Sequence, residues 1–468
     1  MLNFNFYYLR FFLIVISIFS FLNILYSYYF DLYLNVDCYY YTFLISLAPL
    51  IGFLFFKKKD VKVNIYIKII TVIFGFFLLP IFISLPYFFS IYNISFFDAY
   101  FEAVSGFTST GFTIFENIKH LDESLILWRS SSQWIGGLYF LFSIILLIDI
   151  FDDNLKKTLT NFFTINSAEF YRQSIKIFLF YSFLSFLIFL ILNIFEFRSF
   201  ISLNLAMTLI SSGGFLPINN LDTILTSQSK LLSFSTLMLI SFFSLFFLYN
   251  LLVYKKKGIK FIQEDLYLIF YLVLLIFTFF IFVNKDINFG IIFLAISSSV
   301  SNIGVSLDST PQYLSFVFIV LIIIGGSFFS TSSGLRFLKL VALFKFSINQ
   351  IISNAKPKNV FINKLSFSEK IMDTSDFYKY FLTILVFLIS LIILTTILTI
   401  YGLNLEESFK ISVLTLMNTT NSSLSGLSGF NFSELNYFTK QSIILFMIIG
   451  RVELLSILII FKKFFFKN

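Results

Sequence analysis

Polarity along the chain alternates on a long period. Apolar runs recur from end to end and predict helices over residues 8–29, 38–56, 64–93, 125–149, 174–196, 230–253, 264–284, 312–345, 377–402 and 438–464. Each is long enough to cross roughly 30 Å of hydrocarbon. Between successive pairs lie four shorter apolar stretches, at 97–107, 199–210, 288–300 and 405–418, too short to span and so read as re-entrant. Each runs into a strip rich in Ser and Thr: Thr108-Ser109-Thr110-Gly111, Ser211-Ser212-Gly213-Gly214, Ser301-Asn302-Ile303-Gly304 and Thr419-Thr420-Asn421. Three strips carry glycine at the turn and the fourth carries Asn421 there. Irregular backbone at membrane depth is tolerated only where it is buried in protein or lines an aqueous cavity. Four strips in equivalent positions therefore read as the walls of one ion pore.

Composition agrees. Of 468 residues, 58% are hydrophobic and 12% charged, against about 25% charged in a soluble domain, and the mean hydropathy is +0.91. The chain is read as an all-α polytopic membrane protein. The 72 phenylalanines are read as compositional drift, because Phe replaces Leu on a lipid-facing helix at little cost. Cys38 and His120 each stand alone, which excludes an internal disulfide, a cysteine metal cage and a histidine-based catalytic centre. No phosphate loop or dinucleotide fingerprint is present.

Net charge of +8 would suit nucleic acid, but its placement says otherwise. Threading the long helices alternately through the bilayer puts 25 of the 33 Lys and Arg on one side and 6 on the other, the Lys-rich stretches of the first side being Lys57-Lys58-Lys59, Lys156-Lys157, Lys255-Lys256-Lys257, the run from Lys356 to Lys379, and Lys462, Lys463 and Lys467. By the positive-inside rule these segments and both termini are cytoplasmic, which puts all four strips on the outward side. Attraction to anionic lipid explains such loops as well as a docking partner does. The run Leu9–Tyr29 is read as a retained helix: its apolar core is too long for a signal peptide, and Tyr26-Ser27-Tyr28-Tyr29 lacks paired small residues.

The strips suit cation chemistry. A permeating cation sheds water, and ring-arranged carbonyls replace its hydration shell. Glycine reaches positive φ without a Cβ penalty, and the short helix aims its negative C-terminal dipole end at the strip. A second irregular segment interrupts the run 312–345: Gly325, Gly326 and Gly334, with Ser330 and Thr331 among five hydroxyl residues, favour an unwound loop over a helix whose hydroxyls bond their own backbone. Arg451 and Glu453 lie in the last apolar run, where ionisable groups are expensive and face protein or water. At i,i+2 they do not share a helix face, so separate partners are expected. Arg129 and Trp134 read at least as well as an interfacial aromatic-and-basic anchor. Asp98, Glu102, Glu406 and Glu407 read either as charges that concentrate cations or as a solvated rim.

Specific motifs carry a resemblance. Trp128-Arg129-Ser130, Gln133-Trp134-Ile135-Gly136-Gly137, Gly325-Gly326 with Ser330-Thr331 and Gly334, and Gly450-Arg451-Val452-Glu453 make the chain similar to the Trk/Ktr/HKT superfamily of potassium transporters, and within it to the bacterial TrkH-type pore subunit, over essentially its whole length. The resemblance implies four helix, pore-helix, helix repeats around a pseudo-fourfold pore plus two extra N-terminal transmembrane helices. These map to residues 1–60 for the extra pair and 61–155, 156–260, 261–350 and 351–468 for the repeats. It makes the four strips a K⁺ selectivity filter, the segment Gly325 to Gly334 a gating loop, and Arg451 an electrostatic barrier near that gate, with Glu453 holding helices together. It further implies K⁺ uptake across the inner (plasma) membrane, a homodimer, a cytosolic nucleotide-binding ring of TrkA type, and no covalent chemistry or cofactor. Asn421 departs from the family pattern. Asn accepts left-handed φ more readily than residues that lose about 1–2 kcal/mol there, and Gly426 and Gly429 offer another register. This departure keeps Na⁺ permeability as an alternative; H⁺- or Na⁺-coupled secondary transport is the other, since such transporters also build central sites from repeats and broken helices, although they usually carry inverted repeats and here all four repeats face one way.

Overall fold

The structure is a computed structural model that describes residues 6–54, 65–147, 167–253, 263–282, 288–355 and 374–452. Glu453 and most of the Lys-rich segments lie outside the described residues. Nearly all described residues outside the connections are helical, and one two-residue parallel pairing, Ile324–Gly325 with Leu335–Arg336, is the only sheet among them.

Each repeat begins with a long apolar helix: Ile65–Phe89, Ser167–Ile194, Gln263–Phe282 and Thr374–Ile400. All four are long and apolar enough to cross a membrane, as is the first N-terminal helix, Phe6–Tyr29. In repeats two to four less than a third of the spanning stretch is buried by protein, whereas 61% is in repeat one. The two N-terminal helices, Phe6–Tyr29 and Val36–Leu54, account for the difference, since they pack over repeat one. Tyr139 sits at the seam: its hydroxyl donates to the Val72 carbonyl at 2.8 Å, the Tyr8 hydroxyl donates to the Tyr139 carbonyl at 3.2 Å, and the rings of Phe12, Phe76 and Phe107 stand 4.8, 4.8 and 5.1 Å from its own. Edge and tilted geometries of this kind stabilise a core beyond the area they bury.

Short helices follow at Phe96–Phe107, Ser199–Ile210, Phe289–Val300 and Leu405–Leu416. Ser95 caps the first through the Asp98 amide at 3.1 Å, and Asn288 caps the third through the Gly290 amide at 3.0 Å, the residue types that satisfy free N-terminal amides best.

The second helices differ from one repeat to the next. Repeat one has an unbroken Glu123–Leu146. The run 230–253, expected to form one helix, is instead split into Gln228–Met238, a 3₁₀ turn at Leu239–Ser241, and Leu245–Val253. The run 312–345 is interrupted between Ser315–Ile323 and Phe337–Ala355, where the glycine-rich segment lies. In repeat four the second helix is described over Tyr437–Arg451, and the rest of the expected run to residue 464 lies outside the described residues.

Two glycines in corresponding places let the layers approach. A Cβ on Gly136 would run into the Phe107 carbonyl, and one on Gly450 into the Leu416 carbonyl. Each of those carbonyls ends a short helix, so the helix that follows each strip lies directly against the helix that precedes it. The ring of repeats closes between its first and last members: Lys440 donates to Asp98 at 2.7 Å, and the Phe97 and Tyr437 rings lie 4.1 Å apart. Gly136→Val and Gly450→Val are each expected to lower the unfolding temperature of the detergent-solubilised protein, on the scale of the roughly 1–3 kcal/mol that overpacking costs.

Candidate functional site

All four short helices end in the same way. The helix-capping residues are Thr108, Ser211, Ser301 and Met417, and the next residue in each case has left-handed φ: Ser109 at 60°, Ser212 at 57°, Asn302 at 59° and Asn418 at 47°. The residue after that returns its amide five positions back, Thr110 to Ser105 at 2.9 Å, Gly213 to Thr208 at 2.8 Å, Ile303 to Ser298 at 3.1 Å and Thr419 to Leu414 at 3.0 Å. This is a Schellman ending, and its recurrence sets the register of every strip without reference to residue type.

That register corrects the expectation for the fourth strip by one residue. Level with Gly111, Gly214 and Gly304 stands Thr420, not Asn421. A Cβ on Gly111 would lie 2.8 Å from Gly214 Cα and 2.9 Å from Thr420 Cβ, and one on Gly304 would lie 2.6 Å from the Thr420 carbonyl oxygen. The four residues therefore meet around one axis. Asn421 lies beyond them, half-buried, its amide 3.5 Å from the Leu427 carbonyl. Gly426 and Gly429, the other candidates, do have positive φ, but they belong to the loop that follows. Gly111 and Gly304 use glycine's freedom at φ 83° and 80°.

Hydroxyls and side-chain amides tie strip to strip. Thr420 Oγ1 donates to the Gly111 carbonyl at 2.8 Å, Ser422 Oγ to the Gly304 carbonyl at 2.6 Å, and Ser212 Oγ to the Ser301 carbonyl. The Asn418 amide donates to Thr110 Oγ1 at 3.1 Å and to the Met447 carbonyl at 2.9 Å, and Asn302 donates to the Ile322 carbonyl at 2.7 Å. Asn418 was not singled out by sequence. The signal that finds it is its match to Asn302, one place after the capping residue in both.

Behind strip one lies a buried ion pair. Arg129 Nε meets Glu102 Oε1 at 2.9 Å with both side chains at most 1% exposed. Glu102 also accepts from Thr113 Oγ1 at 3.1 Å and from the Ile114 amide at 2.9 Å, Arg129 Nη2 donates to Thr113 at 3.0 Å, and its guanidinium lies 4.2 Å over the Phe215 ring of repeat two. Arg129 is thus not an interfacial anchor, nor is Trp134, which is 5% exposed and donates to Ser185 at 2.8 Å. Glu102 is not a rim charge either. Asp98 is paired with Lys440, and Glu406 forms an exposed pair with Lys410 at 2.6 Å. Gln133, with its amide turned to suit its neighbours, accepts from the Gly214 and Phe215 amides at 3.1 and 3.0 Å and donates to Thr208 at 3.3 Å, backing strip two as Glu102 backs strip one.

Beneath the strips lies the unwound segment of repeat three. Gly325 and Gly334 pinch its ends together: a Cβ on Gly334, where φ is 79°, would stand 2.7 Å from Gly325 Cα. Gly326 passes so close to the Phe242 carbonyl that a Cβ would overlap it. Ser330 donates to the Ser327 carbonyl at 2.7 Å, and Thr331 reaches the Ile210 carbonyl, the end of the second short helix, at 2.7 Å. Ser333 donates to Asn418 at 3.3 Å and accepts from Arg451 at 2.5 Å. The loop therefore crosses under the ring from repeat two to repeat four. Arg451, fully buried, also lies 3.4 Å from Ser109 Oγ and 4.2 Å over the Phe140 ring, and a cavity of about 40 Å³ opens beside it between Phe140, Gly334, Arg336 and Lys339.

No family model matches the chain. Among curated proteins it is similar to an uncharacterised cation transporter of Methanocaldococcus jannaschii, 24% identical over 83% of this chain and 80% of that one. It is also similar to the Trk system potassium uptake protein TrkG of Escherichia coli, 22% identical over 80% of each, and to TrkH of Salmonella typhimurium, 23% identical over 82% and 83%. Among solved structures, the potassium transporter TrkH from Vibrio parahaemolyticus superposes with a TM-score of 0.84 over 98% of both chains at 19% identity, a likeness of fold.

Arg129→Leu leaves Glu102 buried and without its cation, which should cost roughly 3–5 kcal/mol. The double variant Arg129→Leu/Glu102→Leu should recover a large part of that loss. Thermal unfolding of the four proteins of this cycle checks the coupling; additive losses would show that the pair does not act as a unit.

Proposed function

The chain belongs to the Trk/Ktr/HKT superfamily, in its TrkH-type group, and on that premise we propose that this multi-pass membrane protein carries potassium through the ring of four strips. The single observation that carries the reading is the convergence of Gly111, Gly214, Gly304 and Thr420 at the ends of four short helices. Four C-terminal dipole ends then favour a cation at one point, and backbone oxygens from Thr108 to Gly111, Ser211 to Gly214, Ser301 to Gly304 and Asn418 to Thr420 supply the place of its water.

Below this filter the loop from Gly325 to Gly334 obstructs the path, and Arg451 adds a positive charge where a cation would leave. Opening requires the loop to move and the contact between Arg451 and Ser333 to part. The protein acts as a homodimer in the inner membrane, with both termini cytoplasmic and a cytosolic ring of TrkA type driving the loop; the resemblance to TrkH-type subunits supports these points, and the Lys-rich segments provide surface for such a ring.

Thr420 is where this filter departs from a ring of glycines, and it bears on the alternative of Na⁺ permeation. Its hydroxyl donates to the Gly111 carbonyl, leaving that oxygen one lone pair for the ion where glycine would leave two. In bi-ionic K⁺ and Na⁺ flux measurements, Thr420→Gly is expected to shift the K⁺ to Na⁺ permeability ratio by on the order of tenfold, equivalent to about 1.4 kcal/mol. Asn421→Gly should leave it within a factor of two or so. A shift with Asn421→Gly alone would return the register to Asn421, and obligatory coupling to H⁺ or Na⁺ would count against a pore.

A further inference from the structure

We infer that Glu264 and Asp265, in the first turn of the first helix of repeat three, are positioning residues that hold the intramembrane loop in place by gripping both the loop and the break in repeat two. The inference rests on the proposed pore and goes beyond it in naming what keeps the loop across the path.

The break is the starting point. Between Leu239 and Ser244 there is no Gly or Pro to demand it, although sharp helix interruptions usually have such a cause. An interruption also strands the carbonyls of the helix that ends and the amides of the helix that restarts. Here the loop supplies their partners. The Ser332 amide donates to the Ser241 carbonyl at 3.1 Å, the Ser327 amide donates to the Phe242 carbonyl at 3.0 Å, and the Leu245 amide donates to the Phe329 carbonyl at 2.9 Å. Break and loop thus complete each other's backbone bonding as socket and plug.

The two carboxylates hold the pair together. Asp265 accepts from the Ser244 amide at 2.9 Å and from Ser244 Oγ at 2.8 Å, while Ser244 Oγ accepts from the Phe247 amide at 3.0 Å. It therefore caps the restarted helix of the neighbouring repeat. Glu264, the adjacent residue, accepts from the Phe328 amide in the middle of the loop at 3.1 Å. Arg336 at the loop's far end lies within electrostatic reach of Glu264 and gathers the loop from inside, donating to the Ser327 and Ser332 carbonyls at 3.1 and 3.0 Å and to Ser330 Oγ at 3.2 Å. Carboxylates in a first helical turn ordinarily complement the helix dipole, a role that needs no bond to another repeat. These two are bonded to a second repeat and to the loop.

The test reads loop exposure and ion flux separately. In a Cys38→Ser background, Ser332→Cys reports the loop through its rate of labelling by a water-soluble maleimide, and potassium flux into proteoliposomes reports the pore. Glu264→Met and Asp265→Leu are each expected to raise both readouts by about tenfold, the scale of losing a buried hydrogen bond, with the K⁺ to Na⁺ ratio unchanged. Glu264→Gln keeps an oxygen for the Phe328 amide and should stay near native. Labelling that does not rise in Glu264→Met overturns the clamp, as does a fall in flux with unchanged labelling. A native chain with no flux would overturn the pore reading instead, and labelling would still decide the clamp. If the Glu264 and Asp265 variants fail to fold, a disulfide between Leu245→Cys and Phe329→Cys decides: oxidation should abolish flux and reductant restore it, and flux indifferent to oxidation overturns the proposal.

Discussion

Backbone polar groups that leave a helix at membrane depth have no water to turn to, and that constraint organises this protein. Among the described residues the four strips and the loop of repeat three both leave the helical ladder. Neither is satisfied by itself. The strips are joined by hydroxyls of Thr420, Ser422 and Ser212 reaching carbonyls of neighbouring strips. The loop is completed by a helix in another repeat that has itself come apart. Irregularity in one place thus requires irregularity in a second, which explains why a helix with no breaking residue is broken.

The strips also show how a shared geometry can be reached from unlike residues. Ser109, Ser212, Asn302 and Asn418 all adopt left-handed φ, a conformation that costs non-glycine residues about 1–2 kcal/mol. The common factor is the Schellman ending, whose amide returned five places back offsets part of that cost. Around this common frame the supports differ. A buried ion pair stands behind strip one, an amide behind strip two, and Thr420 takes a glycine's place in strip four.

Helices and strips were legible in the sequence because hydrophobic length reports membrane crossing directly; the four short helices fall within two residues of their expected bounds. The register of strip four was not legible, because glycine marks the other three strips and the structural marker is a backbone bond that residue type does not reveal. Aligning Asn418 with Asn302 would have found it. The role of Arg129 was not legible for a different reason: its partner Glu102 is 27 residues away, and in sequence a charge near a helix end has the pattern of an anchor. The break in repeat two stayed hidden because Leu239 to Ser244 is as apolar as its surroundings.

The closure of the ring through Asp98 and Lys440 has a consequence in time. These residues are separated by 342 positions, and a ribosome adding 5–20 residues per second takes roughly 20 to 70 s to make the second after the first. For that interval the first short helix and its polar strip are inside the membrane without their last neighbour. The two N-terminal helices, already made, pack over repeat one through Tyr8 and Phe12 against Tyr139, which is a different face from the one that Lys440 covers. The surface of repeat one that faces repeat four is therefore the last to be covered as the protein is made, and Asp98 waits on it for its cation.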